Sequence, residues 1–164
     1  GTGGGIVIDK KILEGLNQIC GEWGHTPLPN RTEDDKKFSK KCFCGLEGCM
    51  ETFVSGPGFA YIYNTKNNKN LNSQEIIEKF NQGEEEANQA LQDYVNHLAK
   101  GLSNVVNILD PDVIILGGGL SNINYIYEHI NEQLKKYVVS DTLHTKVIKN
   151  YHGDSGGVRG AAWL

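Results

Sequence analysis

The chain has 164 residues, of which 38% are hydrophobic and 22% are charged. These values are typical of one folded domain and exclude an intrinsically disordered chain, in which low hydrophobicity accompanies high net charge. The formal net charge of −4 argues against a broad nucleic-acid-binding face, since such faces are strongly basic. No apolar run approaches the roughly 20 residues that a membrane-spanning helix needs. The opening residues show no signal peptide, so we expect a cytoplasmic protein.

Glycines and polar loops divide the first half of the chain. Four glycines lie within residues 1–5, and the segment 6–13 that follows is predicted to form a β-hairpin. Residues 26–41 and 64–72 are rich in charged and amide side chains, which predicts two solvated loops. A helix is predicted from residue 73, because Asn72 and Glu75 form a capping-box pattern, and Gly83 is expected to end it.

The second half of the chain alternates helices and strands. Apolar residues recur every three or four positions between residues 84 and 109, which predicts one long amphipathic helix. The apolar run 113–116 is predicted to be a strand buried on both faces, as in parallel sheets. A glycine turn at residues 117–119, a helix over 122–138 and a strand over 145–148 follow. This order of elements predicts an α/β fold.

Three of the four cysteines lie within eight residues, at Cys42, Cys44 and Cys49. Glycines between them allow the chain to fold back, so that three sulfurs can face one point. A closed tetrahedral zinc site needs a fourth ligand, and His25 is the natural candidate. The alternative is a set of free cysteines without a metal, which would be prone to oxidation. We therefore predict a structural zinc site in the segment 25–49.

Two carboxylates flank this cluster. Glu22 lies three residues before His25, and Glu51 lies two residues after Cys49. A metal site that fixes both segments would bring Glu22, His25 and Glu51 close together. Carboxylates held on a rigid base accept hydrogen bonds from several hydroxyl groups at once, which is how a sugar is bound. The alternative is that both glutamates are solvated or neutralise local lysines.

Two glycine turns have the features of anion-binding turns. Gly1, Thr2 and Gly3 precede a strand and offer bare amides and a hydroxyl group. Residues 117–119 lie between a strand and a helix, where α/β sheets bind nucleotides. Neither turn matches the dinucleotide-binding or Walker patterns, so each is equally compatible with a tight structural turn.

Together these motifs resemble the ROK family of sugar kinases and transcriptional repressors, over essentially the whole chain. The most specific part is the combination of Glu22-Trp23-Gly24-His25 with Cys42-x-Cys44-Gly45-x-x-Gly48-Cys49-x-Glu51. The other matching pieces are Gly1-Thr2-Gly3, Leu109-Asp110-Pro111-Asp112 with residues 117–119, and His152-Gly153-Asp154 with Gly160-Ala161-Ala162. Residues 22–29 and 157–164 are most similar to bacterial fructokinases, with N-acetylglucosamine kinases next.

The resemblance implies that residues 1–164 are the C-terminal lobe of a two-lobed enzyme. The lobe would have the ribonuclease-H-like α/β fold of the actin/hexokinase superfamily, with an inserted zinc-binding loop. The enzyme would transfer the γ-phosphate of Mg-ATP to a hexose, with fructose, giving fructose 6-phosphate, as the first expectation and N-acetylglucosamine or glucose as alternatives. We expect the full-length protein to be a homodimer that binds neither nucleic acid nor membranes.

The resemblance also implies roles for individual residues. Glu22, His25 and Glu51 would contact sugar hydroxyls. Structural zinc would be bound by His25, Cys42, Cys44 and Cys49, with the second ring nitrogen of His25 facing the sugar. The nucleotide would be bound by Thr2 and Gly3 at the phosphates and by Gly117, Gly118 and Gly119 at the adenosine.

The chain departs from the family pattern in two respects. The family's first lobe carries a phosphate loop and the aspartate that acts as general base, and neither motif occurs in these residues. We therefore expect that lobe to be missing from this chain and no catalytic residue to lie within it. The Gly1-Thr2-Gly3 turn is also about two residues shorter than the family's. Two rival interpretations stay open, a sugar-responsive repressor of the same family and a zinc-stabilised binding module without activity.

Overall fold

A computed structural model of the protein describes residues 1–153 and Gly156. It confirms an α/β protein, in which the chain divides into two units, Gly1–Ala90 and Leu91–Leu164. The motif residues Asp154 and Gly160-Ala161-Ala162, and the fructokinase-like segment 157–164, lie outside the described residues. Within the described part of the chain, no helix has the length and apolar character needed to cross a membrane.

The first unit opens with the predicted hairpin. Strands β1 (Val7–Ile8) and β2 (Lys11–Ile12) pair in antiparallel register, with Val7 opposite Ile12. The two turn residues, Asp9 and Lys10, both have positive φ, as the tightest hairpin turns require. The apolar side chains of this hairpin are exposed in the chain as described.

The segment 26–41 differs from the predicted solvated loop. Residues 33–38 form helix α1 (Glu33–Phe38), which begins with a capping box between Thr32 and Asp35. Leu28 is buried, and its backbone amide donates to the Gly48 carbonyl, which fixes it in a short antiparallel pairing. This pairing joins residues 20 positions apart, so composition gave no sign that Leu28 is buried. Most of the segment is exposed or half-buried, as predicted.

Two helices that the sequence did not predict form much of the core of the first unit. Helix α2 (Glu51–Val54) and helix α3 (Gly56–Asn67) are separated only by Ser55, whose hydroxyl accepts from the Gly58 amide and caps α3. The largest fully buried side chains of the two helices are Phe53 and Tyr63. Because α3 runs to Asn67, the predicted loop 64–72 is shortened to residues 68–72.

Helix α4 (Ser73–Asn81) confirms the predicted start. The Asn72 side chain accepts from the amides of Gln74 and Glu75, and the Glu75 carboxylate accepts from the Asn72 amide. Gly83 follows the helix in the left-handed conformation. The sequence signals for this helix are local, and the structure reproduces them.

The long helix α5 (Glu85–Leu109) is also confirmed. Its predicted apolar stripe is buried from Ala87 through Leu102. Near the end, Val106 is buried in place of the expected Val105, and Leu109 is exposed. Asp110 follows with positive φ, and the chain leaves the helix there.

The second unit contains a parallel pair of strands. Strand β3 (Val113–Leu116) pairs with β4 (Lys146–Lys149), and helix α6 (Asn124–Lys135) lies between them in the chain. The predicted burial of β3 on both faces is wrong for this chain, since Val113 and Ile115 are exposed. Among the described residues β3 has one neighbouring strand, and the face that carries these two side chains is uncovered.

Candidate functional site

Backbone pairing fixes the cysteine loop, residues 42–49. The amides of Cys42 and Met50 donate to the carbonyls of Leu46 and Thr26, respectively, and Pro27 lies opposite Cys49 in an isolated bridge. A tight turn, in which the Gly45 amide donates to the Cys42 carbonyl, places Cys42 and Cys44 on the same side. These hydrogen bonds bring the His25 segment against the loop.

The four predicted metal ligands come together. The ligand atoms of His25, Cys42, Cys44 and Cys49 all lie within 4.8 Å of one another. The Nδ1 atom of His25 lies 3.6 Å from the Cys42 sulfur, and the sulfurs of Cys44 and Cys49 are also 3.6 Å apart. Cys42 and Cys49 are buried, whereas Cys44 is exposed.

This donor set fits a tetrahedral zinc ion. With Zn–S bonds of about 2.3 Å and Zn–N bonds of about 2.0–2.1 Å, a tetrahedron has S–S edges near 3.8 Å and S–N edges near 3.6 Å. The two separations of 3.6 Å agree with these edges, and the longest separation, 4.8 Å, requires a contraction of about 1 Å. Three sulfurs and one imidazole nitrogen are also a ligand set that zinc prefers.

The thiols of the cluster differ in acidity. A hydrogen bond from the Leu46 backbone is the largest influence on Cys44, and with help from the neighbouring thiols and His25 it lowers the pKa of Cys44 to about 7. Burial is the largest influence on Cys49, and it raises the pKa of that thiol to about 12. Without a cation, the buried thiol therefore stays protonated, while the exposed one ionises near neutral pH.

Glu22 lies on the opposite edge of the His25 ring. Residues 23–25 form a short 3-10 helix (Trp23–His25), and the Glu22 carboxylate lies 4.0 Å from His25 Nε2. The ring therefore faces Cys42 with Nδ1 and Glu22 with Nε2. The Phe43 ring packs edge-on against the imidazole, with 5.0 Å between ring centroids.

Glu51 is connected to this segment through Thr2. The Thr2 amide donates to Glu51 Oε2 at 2.9 Å. The carbonyl of Thr2 lies against Gly24, so close that a methyl group at Gly24 would overlap it. The structure thus brings Glu22, His25 and Glu51 to one region of the first unit, as the sequence predicted, and adds Thr2 to it.

The glycine segment at residues 1–4 is therefore part of this same region. Besides the contacts of Thr2, the Gly3 carbonyl accepts from Trp23 Nε1 at 3.0 Å, and Gly4 packs against the Trp23 indole. The spacing of 49 residues between Thr2 and Glu51 gave no signal of this contact. Sequence reasoning also missed Arg31, whose guanidinium covers Gly48 beside Cys49.

The second glycine turn belongs to the second unit. Residues 117–119 directly follow β3 at its carboxyl end, where parallel strands commonly present a ligand site. All three glycines are exposed, and a methyl group at any of them would have no atom of another described residue within 4 Å, its chain neighbours aside. Gly118 has a φ of +85°, so only this position requires glycine for its backbone conformation.

Known proteins resemble the chain along its whole length. N-acetyl-D-glucosamine kinases from Salmonella paratyphi B and Vibrio atlanticus are 38% and 41% identical to it over 167 aligned residues. Each alignment covers 100% of this chain and 55% of the relative, so the chain spans about half the length of the curated relatives it matches.

Solved structures show the same fold. The crystal structure of a ROK hexokinase from Thermus thermophilus has a TM-score of 0.81 at 26% identity, covering 98% of this chain and 52% of the hexokinase chain. A ROK glucokinase from Streptomyces griseus, in complex with glucose and AMPPNP, has a TM-score of 0.83 at 23% identity, covering 99% of this chain and 56% of its own. The model of the ROK family matches residues 1–164, and the chain belongs to this family.

Proposed function

We propose that the protein phosphorylates a hexose with Mg-ATP, and that N-acetylglucosamine is its substrate. The observation that carries this proposal is the identity of 38–41% with N-acetylglucosamine kinases across the entire chain. The sequence favoured fructose first, from residues 22–29 and 157–164. The curated relatives give fructose no support, and N-acetylglucosamine, the next choice from the sequence, takes its place.

The geometry of the first unit supports a sugar site. Glu22 and Glu51 would accept hydrogen bonds from sugar hydroxyls, and His25 would offer its Nε2 atom beside Glu22. Glu51 is already oriented by the Thr2 amide, so one of its oxygens is held in place while the carboxylate keeps further acceptor capacity. Fixed acceptors of this kind select a substrate by the positions of its hydroxyl groups.

We propose structural zinc as the metal of the cysteine cluster. His25, Cys42, Cys44 and Cys49 would hold it, and the ion would supply rigidity to the loop and a fixed orientation to the His25 ring. Zinc at Nδ1 would leave the ring proton on Nε2, where it can donate either to a sugar hydroxyl or to the Glu22 carboxylate, which lies 4.0 Å away.

For the nucleotide, the support differs between the two glycine turns. Residues 117–119 are exposed at the carboxyl end of β3, and we propose them as part of the nucleotide site. For Thr2 and Gly3 the support is weaker, because the Thr2 amide already donates to Glu51 and is not free for a phosphate. The proton acceptor for the sugar hydroxyl would come from outside these residues, because the two glutamates of the site have binding roles in this proposal.

The test is a substrate panel with the product of the complete gene. Sugar-dependent ADP release would be measured with N-acetylglucosamine, glucose, fructose and N-acetylmannosamine at matched concentrations. We expect the highest kcat/KM with N-acetylglucosamine. A preference for fructose would restore the original expectation and contradict this one, and no ADP release with any sugar would remove the kinase proposal.

A repressor of the same family is the rival. The crystal structure of a ROK family transcriptional regulator, a homologue of E. coli Mlc, has a TM-score of 0.73 at 22% identity and covers 90% of this chain. This likeness shows the shared fold alone, and no contact among the described residues favours the repressor.

A further inference from the structure

The turn at residues 117–119 is held by a side chain from the next strand. Asn150 directly follows β4, and both its backbone amide and its side-chain Nδ2 donate to the carbonyl of Leu116 at 3.1 Å. Leu116 is the last residue of β3, and Gly117 comes next. Asn150 therefore ties the carboxyl ends of the two parallel strands together at the point where the glycine turn begins.

The same amide also reaches the far side of the turn. Asn150 Nδ2 donates to Ser121 Oγ at 3.1 Å, and Ser121 Oγ donates to the Gly118 carbonyl at 2.6 Å. The proton count is consistent, because Nδ2 supplies two hydrogens and the serine hydroxyl accepts one bond while donating its own. Asn150 is thus linked to the centre of the turn through Ser121.

Ser121 is itself well fixed. It is buried, and its carbonyl accepts from the Tyr127 hydroxyl at 2.7 Å. Burial raises the pKa of Tyr127, so the phenol stays protonated and remains a donor at ordinary pH. The hydrogen-bond network therefore connects α6 and the end of β4 to the turn. Tyr127, Asn150 and Ser121 each donate to a backbone carbonyl in it.

The segment that this network positions, residues 117–119, is exposed. Among the described residues, and apart from the two chain neighbours, no atom lies within 4 Å of a methyl group placed at Gly117 or Gly119. Neither glycine has a positive φ, so the described structure does not itself require glycine at these two places. Glycine there keeps the exposed surface of the turn free of side chains. The location, beyond the carboxyl ends of parallel strands, is one where α/β sheets bind ligands.

We propose that Asn150 is a positioning residue for the nucleotide: its side-chain amide holds residues 117–119 in the conformation that receives ATP. The proposal rests on the proposed kinase function. Its specific content is that the donor end of Asn150 matters, since the Oδ1 atom is buried and has no hydrogen-bond partner within the described ranges.

Asn150→Asp is the sharpest variant. It keeps the shape of the side chain but replaces the donor with an acceptor that faces the Leu116 carbonyl. Asn150→Ala removes the amide without adding charge. Ser121→Ala removes the hydroxyl that joins Asn150 to Gly118, and with it both of these hydrogen bonds, but leaves the bond from Asn150 to the Leu116 carbonyl. Lys146→Ala, an exposed position at the other end of β4, is the matched control.

The experiment compares the change in KM for ATP with the change in KM for the sugar. In the product of the complete gene, KM for ATP should rise about tenfold in Asn150→Ala and further in Asn150→Asp, as expected when about two neutral hydrogen bonds are lost. KM for the sugar should stay unchanged, and Lys146→Ala should match the wild type. The effects of Asn150→Ala and Ser121→Ala on KM for ATP should be less than additive in the double variant, because both act through the same turn.

Three outcomes decide the matter. A rise in KM for ATP alone, with thermal unfolding close to wild type, supports the proposal. KM values equal to those of the wild type, together with a lower melting temperature, would show a merely structural role and overturn the proposal. A parallel rise in KM for ATP and KM for the sugar would do the same. A wild-type protein without sugar-dependent turnover would instead refute the proposed function, and ATP-analogue binding by equilibrium titration would then test Asn150 separately, with unchanged affinity in Asn150→Asp counting against it.

Discussion

Gly24 lies where the chain leaves no room for a side chain. A methyl group there would overlap the Thr2 carbonyl oxygen, and at Gly21 it would overlap the Gly4 carbonyl. Because Gly21 and Gly24 have no side chains, the glycine segment at residues 1–4 can pack against the turn that carries Glu22 and His25. The absence of two side chains is what allows Thr2 to reach Glu51.

Gly24→Ala should therefore displace Thr2 and release Glu51. Overpacking of this kind costs about 1–3 kcal/mol, so the free energy of unfolding should fall by that amount. Gly5→Ala is the control, because its methyl group would have no neighbouring atom within 4 Å and its φ is not positive. Chemical denaturation of both variants measures the difference, and equal stabilities would show that Thr2 moves without cost.

Glu22→Gln and Glu51→Gln test the proposed sugar contacts directly. Each removes a charge-assisted hydrogen bond worth about 1.5–3 kcal/mol, so KM for the sugar should rise roughly 10- to 150-fold while KM for ATP stays constant. The amide oxygen that Glu51→Gln introduces can still accept from Thr2, so the local fold should be kept. Glu47→Gln, an exposed change in the cysteine loop, serves as control. A rise in KM for ATP alone would mean that the two pockets have been assigned the wrong way round.

At the scale of the elements, the cysteine loop has almost no apolar core of its own. Phe43 and Leu46 are exposed, and the loop is held by a few backbone hydrogen bonds and by the meeting of its three cysteines with His25. A metal ion would therefore contribute much of the free energy that folds this segment.

Cys44→Ser should abolish zinc binding and lower the melting temperature. Cys20→Ser, at a half-buried cysteine outside the cluster, should do neither. Elemental analysis should find one zinc per chain in the wild type and in Cys20→Ser, and none in Cys44→Ser. A chelator should lower the melting temperature of the wild type but not that of Cys44→Ser. A wild-type chain without metal would contradict the assignment.

Helix α4 depends on its cap. Asn72→Ala removes the acceptor for two backbone amides, those of Gln74 and Glu75, and should cost about 1 kcal/mol of stability. Asn70→Ala, at an exposed position of the loop before the helix, should cost little. Urea unfolding monitored by circular dichroism compares the two, and equal midpoints would mean that the cap contributes nothing.

Local signals explain which elements the sequence predicted. The hairpin turn at residues 9–10, the cap at Asn72 and the stripe of α5 are encoded within a few residues, and all three are present in the structure. The burial of Leu28 was missed because it depends on pairing with a segment 20 residues away. The meeting of His25, Cys42, Cys44 and Cys49 was predicted because the chemistry of these side chains limits the alternatives, whereas the contact between Thr2 and Glu51 had no such signature.

At the scale of the whole molecule, both two-stranded sheets show large apolar side chains to solvent. Val7 is 65% exposed in the hairpin, and Ile115 is 60% exposed on β3. Two-stranded sheets are marginal by themselves, and such surfaces normally lie against other parts of a protein. Any experiment on the isolated 164 residues therefore needs a test of folding beside the test of activity.

The last prediction concerns these 164 residues alone, which should not catalyse phosphoryl transfer. The reaction needs a base that accepts the proton of the sugar hydroxyl, held in line with the γ-phosphate. Within the described structure the carboxylates placed at the candidate sugar site are Glu22 and Glu51, and Glu51 is engaged by the Thr2 amide. Both have binding roles in the proposed function, so sugar binding without turnover is expected.

The measurement pairs calorimetric titration of the sugar with an assay of ADP release, on the purified 164-residue chain and on the product of the complete gene. Circular dichroism and a zinc assay would first establish that the isolated chain is folded. Turnover by the gene product, together with weak binding and no turnover by the folded chain, is the expected pattern. Sugar-dependent ADP release by the isolated chain would show that Glu22 or Glu51 acts as the base, because a carboxylate that abstracts the proton must lie within hydrogen-bond reach of the reacting hydroxyl. Glu22→Gln and Glu51→Gln in that chain would then identify which of the two it is, since only the loss of the base should remove kcat while leaving binding measurable.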